Sequence, residues 1–179
     1  MTVATVDICE TNTVSVTVTD AITSSNMGIL DTANTTLTTV FAIPADSYSY
    51  EKWHRLHVHT NASGNTIQGI RVWCTGTLPG SDTHTTNART GSYAGAASYS
   101  TPVITQTAAA NRQTMPSSDP GAANLGIGGT LTPTSNGVGL ISTTGYSDYL
   151  VHQIHVDSAT TAGPSSALTL YFQYDEYSA

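Results

Sequence analysis

His57 and His59 are the side chains of this sequence best spaced to hold a metal ion. Residues i and i+2 of a strand point to one side, so the pair can present two imidazoles to one cation. A complete site needs a third ligand. His152 and His155 would face opposite ways on their own strand, so at most one could join, and no carboxylate or cysteine is tied to the pair by spacing. His57 and His59 therefore stand as weak metal candidates, no metal site is assigned, and no cofactor is expected.

Other chemistry is harder to place. Serine and threonine are too common to single out a nucleophile, and no G-x-S-x-G elbow is present. Cys74 falls on an apolar strand face, and Asp175 and Glu176, as neighbours, point to opposite sides of a strand, which argues against a paired-carboxylate site. Gly126-Ile-Gly-Gly lacks the lysine and the βαβ setting of a phosphate loop. The sequence reads as non-enzymatic.

The elements that must position these residues are strands. Thirty-two of 179 residues are threonine and charged residues make up 9%. β-Branched side chains suit a half-buried pleated surface, and the long charged residues that usually fill helix surfaces are scarce. Alternating segments are expected at Thr2 to Ile8, Thr13 to Thr19 (Val14, Val16 and Val18 on one face), Leu37 to Ile43, Tyr50 to Thr60, Ile67 to Thr75, Tyr99 to Thr107, Tyr149 to Asp157 and Leu168 to Tyr177. About eight strands without intervening helices predict an all-β chain, an antiparallel β-sandwich or jelly roll, with residues 1–179 forming one domain. Asn61-Ala-Ser-Gly-Asn reads as the turn of a hairpin joining Tyr50–Thr60 to Ile67–Thr75, and the last two strands read as a closing hairpin. Residues 76–123 form a long irregular excursion, expected to act as an extended loop or contact arm.

On the expected central hairpin, His54, Leu56, Val58, Ile70, Val72 and Cys74 sort to the core. Trp53, Arg55, His57 and His59 sort to the other side, near Arg71 and Trp73. Trp and Arg are enriched in interface hot spots, so Trp53, Arg55, His57, Arg71 and Trp73, with Tyr93 and Tyr99 in the excursion, are the protein-interface candidates. The competing reading covers this face with a loop or the second sheet and stacks the arginines on the indoles. The tyrosines could equally form a sugar-binding platform or ordinary sandwich packing with hydroxyls at the rim.

Net charge is −7 and Lys52 is the only lysine. No basic stripe exists for nucleic acid or an anionic membrane, and no apolar run approaches the roughly 18 residues needed to span a bilayer. The start MTVATVDICETN lacks a signal-peptide pattern, so a chain that stays where it is made is expected, with Cys9 and Cys74 reduced.

Trp53-His-Arg-Leu-His-Val-His, Ile70-Arg-Val-Trp, the Ser/Ala/Gly/Tyr-rich middle, Ser117-Ser-Asp-Pro-Gly, Asn124-Leu-Gly-Ile-Gly-Gly, Tyr146-Ser-Asp-Tyr-Leu-Val-His-Gln and Leu170-Tyr-Phe-Gln-Tyr-Asp-Glu occur in that order. This order, over roughly the last two-thirds of the chain, resembles small virion structural proteins of tailed bacteriophages. The resemblance implies a β-sandwich that decorates or cements the outside of the capsid, or sits at the neck or tail. Its partners would be the major capsid protein or other virion proteins, its state a homo-oligomer with a trimer favoured, and its location the virion after synthesis in the host cytoplasm. It transfers no functional residue. A carbohydrate-binding module, and a metal-dependent enzyme using His57 and His59, are the readings of other classes.

Overall fold

Within Thr66–Thr75 the buried side chains are Ile67, Ile70, Val72 and Cys74, a pattern that changes parity once. The change falls at Gly69, whose φ of +64° lies in the left-handed region. Opposite it the pairing register shifts between Gln173 and Asp175. The extra residue forms a β-bulge, which turns both isoleucines toward the interior. A Cβ at Gly69 would lie 2.6 Å from Asp175 Oδ2, so the Asp175 carboxylate packs directly over the bulge.

The computed structural model describes residues 4–33, 39–61, 64–86, 102–109, 112–125, 140–160 and 167–178. Their strands are β1 (Thr5–Asn12), β2 (Thr17–Thr19), β3 (Ser47–Tyr48), β4 (Lys52–Thr60), β5 (Thr66–Thr75), β6 (Thr83–Thr86), β7 (Gln113–Thr114), β8 (Leu140–Ile141), β9 (Gly145–Tyr146), β10 (Leu150–Val156) and β11 (Thr169–Tyr177). Every pairing is antiparallel. The larger sheet runs β2-β1-β4-β10-β6-β7, with β3 on β10 and β9 on β4, and the smaller runs β11-β5-β8. Leu56, Val58 and Leu150 of the larger sheet meet Ile67, Ile70, Val72 and Cys74 of the smaller in one core, with Met115, Leu125 and Ile141. The chain is an all-β antiparallel sandwich.

Both expected hairpins are corrected. β4 pairs with β1, β10 and β9, while β5 pairs with β11 and β8. The link at Asn61–Asn65 therefore crosses from one sheet to the other. Likewise β10 and β11 lie in different sheets. Two strands with one apolar face each can pair edge to edge or stack face to face, and alternation is the same in both cases. With both edges of β4 occupied by β1 and β10, stacking is the arrangement that buries the two faces against each other.

The early segment is corrected too. Thr13 (φ +62°) and Val16 (φ +54°) make a turn closed by Val16 N–H donating to Thr13 O at 3.1 Å. Val14 and Val16 sit in that turn and Val18 follows on β2, at 74%, 48% and 37% exposed, so they share no buried face. Of the expected strand at Leu37 to Ile43, residues 37 and 38 lie outside the described residues and Thr39–Phe41 is a 3-10 turn. Residues 99–101 lie outside the described residues and 102–109 contain no strand.

The excursion at 76–123 is less irregular than expected. It supplies β6, paired with β10, and β7 beyond it. Its far end seals an edge of β5. Asn124 bonds the backbone of Val72 in both directions, accepting from the N–H at 2.8 Å and donating to the carbonyl at 2.9 Å, and Cys74 N–H donates to Pro116 O at 2.9 Å. Residues 87–101 and 110–111, including Tyr93 and Tyr99, lie outside the described residues.

Candidate functional site

β1 and β4 pair with Glu10 opposite His54, Ile8 opposite Leu56 and Val6 opposite Val58 on the inner face. On the outer face Thr11 stands opposite Trp53, Cys9 opposite Arg55 and Asp7 opposite His57. One pair of strands thus carries two sets of histidines on two sides.

On the outer face the side chains stack in a column. Trp53 is 6% exposed, meets Tyr149 edge-on at 5.2 Å between ring centroids, and donates from Nε1 to Glu51 at 3.1 Å. The Arg55 guanidinium lies 3.7 Å from the Tyr146 ring centre and 4.4 Å from that of Tyr149. Tyr146 in turn stacks on His57 at 4.0 Å, and His57 lies 3.8 Å from His59. Of the interface candidates on this strand, Trp53 is buried under Tyr149, and Arg55 is half-buried and stacks on the tyrosines rather than on an indole. The column ends on a cluster. His57 Nδ1 is 2.9 Å from Asp20 Oδ1 and His59 Nε2 is 2.6 Å from Asp7 Oδ2. Asp7, Asp20, His57 and His59 each offer one ligand atom, all within 4.8 Å of one another. The donors that spacing alone did not tie to the histidine pair are the carboxylate oxygens of these two aspartates. Asp7 shares outward parity with Cys9 and Thr11, a signal the sequence holds. Its register against His57 depends on β1 pairing with β4, which no local pattern reveals.

The inner face carries a second line that sequence reasoning missed as a unit. Glu10 Oε2 lies 3.1 Å from His54 Nε2, His54 Nδ1 2.7 Å from His152 Nε2, and His152 Nδ1 2.7 Å from His84 Nε2. The four residues come from β1, β4, β10 and β6, neighbours in that order in the sheet. A carboxylate can only accept, so His54 donates from Nε2, and each imidazole pair beyond it shares one proton. Lys52 Nζ sits 3.6 Å from Glu10 Oε1 and donates to Leu30 O, while Asn12 donates to Glu10 at 2.7 Å. Glu10, Lys52 and His54 are fully buried.

Burial would raise the Glu10 carboxyl, but the hydrogen bond and charge of His54, the Lys52 ammonium and Asn12 outweigh it and hold the group down at about 2. Burial depresses Lys52, with Glu10 and Asp31 acting against it. Burial, and then the neighbouring His54, push His84 down to about 4, and His152 is held well below its ordinary value by burial and by His54, His84 and Lys52. These two imidazoles are neutral near pH 7. The line borders a cavity of about 280 Å³ between the sheets, lined also by Ile8, Cys74 and Leu170. Burial raises the Cys9 and Cys74 thiols to about 11, so both are poor nucleophiles at neutral pH. Both are free.

The outer face of the smaller sheet holds the rest of the candidates. Trp73 and Tyr171 stack at 4.9 Å with their planes 4° apart, and Tyr171 is 41% exposed. Arg71 Nη1 contacts Asp119 at 3.1 Å and Nη2 lies 3.9 Å from Asp175. The single face expected from the sequence is therefore two faces on two sheets: Arg71 and Trp73 do not join Trp53, Arg55 and His57. Nor do His152 and His155 join the His57 cluster, the former lying in the inner line and the latter beside Asp46 at 3.7 Å.

No family model, curated protein or solved structure matches the chain. Among the described residues no helix is long and apolar enough to cross a membrane.

Proposed function

We propose that this chain is a non-enzymatic structural protein of a virion, a capsid decoration or cement protein that binds the outside of a tailed-phage head. The observation that carries the reading is the outer surface of the smaller sheet. There the flat Trp73–Tyr171 pair lies beside Arg71, and β11, nine residues long, has one edge that no strand pairs among the described residues. An unpaired edge offers a row of backbone donors and acceptors to a neighbouring chain, and aromatic and Arg side chains are the common anchors of protein interfaces. The exposed valines Val14, Val16 and Val18 add apolar contact area, and the scarcity of charge keeps the desolvation cost of contact low.

The partners are the major capsid protein or other virion proteins, and a homo-oligomer, with a trimer favoured, completes the assembly. A neck or tail position is the alternative within this class. The test is quantitative mass spectrometry of tailed-phage particles purified from the source. Copies comparable with the shell protein are expected. A handful of copies would move the chain to the neck or tail, and absence from the particle would overturn the reading.

A second reading rests on the same coplanar rings. A half-exposed aromatic platform also suits the apolar face of a sugar, as in a carbohydrate-binding module. A saturable glycan whose binding is lost in Tyr171→Ala would support it, and a glycan array without a binder would remove it.

A further inference from the structure

We propose that Asp7, Asp20, His57 and His59 form a binding site for one first-row divalent cation of the Zn²⁺ type on the outer face of the larger sheet. The donor set is two imidazole nitrogens and two carboxylate oxygens, which suits such ions better than calcium or magnesium, whose ligands are oxygens. Zinc bonds of about 2.0–2.2 Å place tetrahedral ligand atoms roughly 3.3 Å apart. The four atoms already lie within 4.8 Å of one another, so closing on an ion takes side-chain adjustment without backbone rebuilding.

Three of the ligands stand on a rigid ladder. Asp7 is directly opposite His57, and His59 follows two residues later on the same face of β4. Tyr146 backs the His57 ring, which fixes its plane as a packed second layer does in metal sites. The fourth ligand arrives as the chain leaves β2, and the hydrogen bond from Ile22 N–H to Ile8 O at 3.0 Å returns that segment to β1. One further feature separates the cluster from two ordinary His–Asp contacts. The second oxygen of Asp7, Oδ1, is enclosed and has no hydrogen-bond partner among the described residues. An enclosed carboxylate oxygen without a donor is costly, and a cation held by the same carboxylate compensates it. The bound ion ties the base of the β1–β2 hairpin to β4.

This site stands apart from the assembly reading and is tested on the isolated chain. Tag-free protein is titrated with Co²⁺ followed by its visible absorption, then with Zn²⁺ by calorimetry and by competition. One equivalent is expected, with the strong absorption of a four-coordinate Co²⁺ that Zn²⁺ displaces. Asp20→Asn, on the exposed ligand, and His59→Gln are each expected to weaken binding by at least about tenfold, since replacing even a second-layer partner costs that much. His155→Gln, remote from the cluster, is expected to leave it unchanged. The absence of saturable binding, or binding of equal strength in both ligand variants, would overturn the proposal. Should His59→Gln fail to fold, Asp20→Asn decides the matter alone.

Discussion

The even-numbered and odd-numbered residues of β1 and β4 build two histidine sites a sheet's thickness apart, and they differ in nearly every physical respect. Inside, Glu10, His54, His152 and His84 form a line across four strands, buried except at the half-buried His84, and Lys52 balances the buried carboxylate. Outside, Asp7, Asp20, His57 and His59 gather at a partly open rim, where the groups are reachable by an ion. The same amino acids thus become a rigid internal scaffold in one register and a ligand set in the other. What decides between them is which side of the pleat a residue occupies.

The inner line is where damage is expected to be largest. Glu10→Ala removes the ion-pair partner of the buried Lys52 ammonium and leaves only the Asp31 charge acting on it, and a loss of about 3–5 kcal/mol is expected from denaturant unfolding. An unchanged midpoint would show that Lys52 escapes to water and that the line carries little. The corresponding outer change, His57→Ala in metal-free protein, is expected to cost under about 1 kcal/mol, because Asp20 remains hydrated.

Acid separates the two sites next. His84, at about 4 when folded, and His152, lower than its ordinary value, bind protons in the unfolded chain before they do in the folded one. Stability therefore falls as pH drops from about 6.5 toward 4, by on the order of 3 kcal/mol from His84 alone. Glu10, held at about 2, extends the loss below pH 4.5. Asp148 works in the opposite direction. It is fully buried, neither carboxylate oxygen has a hydrogen-bond partner among the described residues, and burial raises it to about 6. Its cost grows as pH rises from about 3.8 to 6, offsetting part of the histidine gain. Asp148→Asn is expected to add about 1 kcal/mol at pH 7 and to steepen the acid loss, both read from thermal midpoints across pH. A flat wild-type profile from pH 7 to 4 would contradict the neutral assignment of the inner imidazoles.

A modest stability effect is expected on the outer face of the smaller sheet. Tyr171→Ala removes half of the stacked pair with Trp73 and is expected to cost about 0.5–1.5 kcal/mol. Its effect on particle binding should exceed that, and binding equal to wild type would move the contact surface elsewhere.

Much of this was legible in the sequence, and the illegible part has a common cause. Alternation placed His54, Leu56, Val58, Ile70, Val72 and Cys74 on core faces, and they are buried. The spacing of His57 and His59 marked them as a pair, and the structure keeps them on one face. What alternation cannot carry is partnership. It does not say whether β5 lies beside β4 or across from it, so Arg71 and Trp73 were placed with Trp53 and Arg55, and both expected hairpins failed. Nor does it say that β1 lies against β4, so Asp7 could not be matched to His57 or Glu10 to His54. Val14 and Val16 misled for a different reason. A β-branched run favours a strand, but Asp31 accepts from the Thr13 N–H and the side chain of Asn12 at 2.9 and 2.8 Å, and it anchors a turn there.

The separation of the two histidine sites is tested most directly by long-range ¹H–¹⁵N spectra of the histidine rings in tag-free protein at pH 7, recorded before and after one equivalent of Zn²⁺. The ring nitrogens of His57 and His59 are expected to shift, while His54, His84 and His152 keep their signals, with His84 and His152 in neutral forms. Zinc-induced shifts in the inner three, or a protonated His152 at that pH, would contradict it.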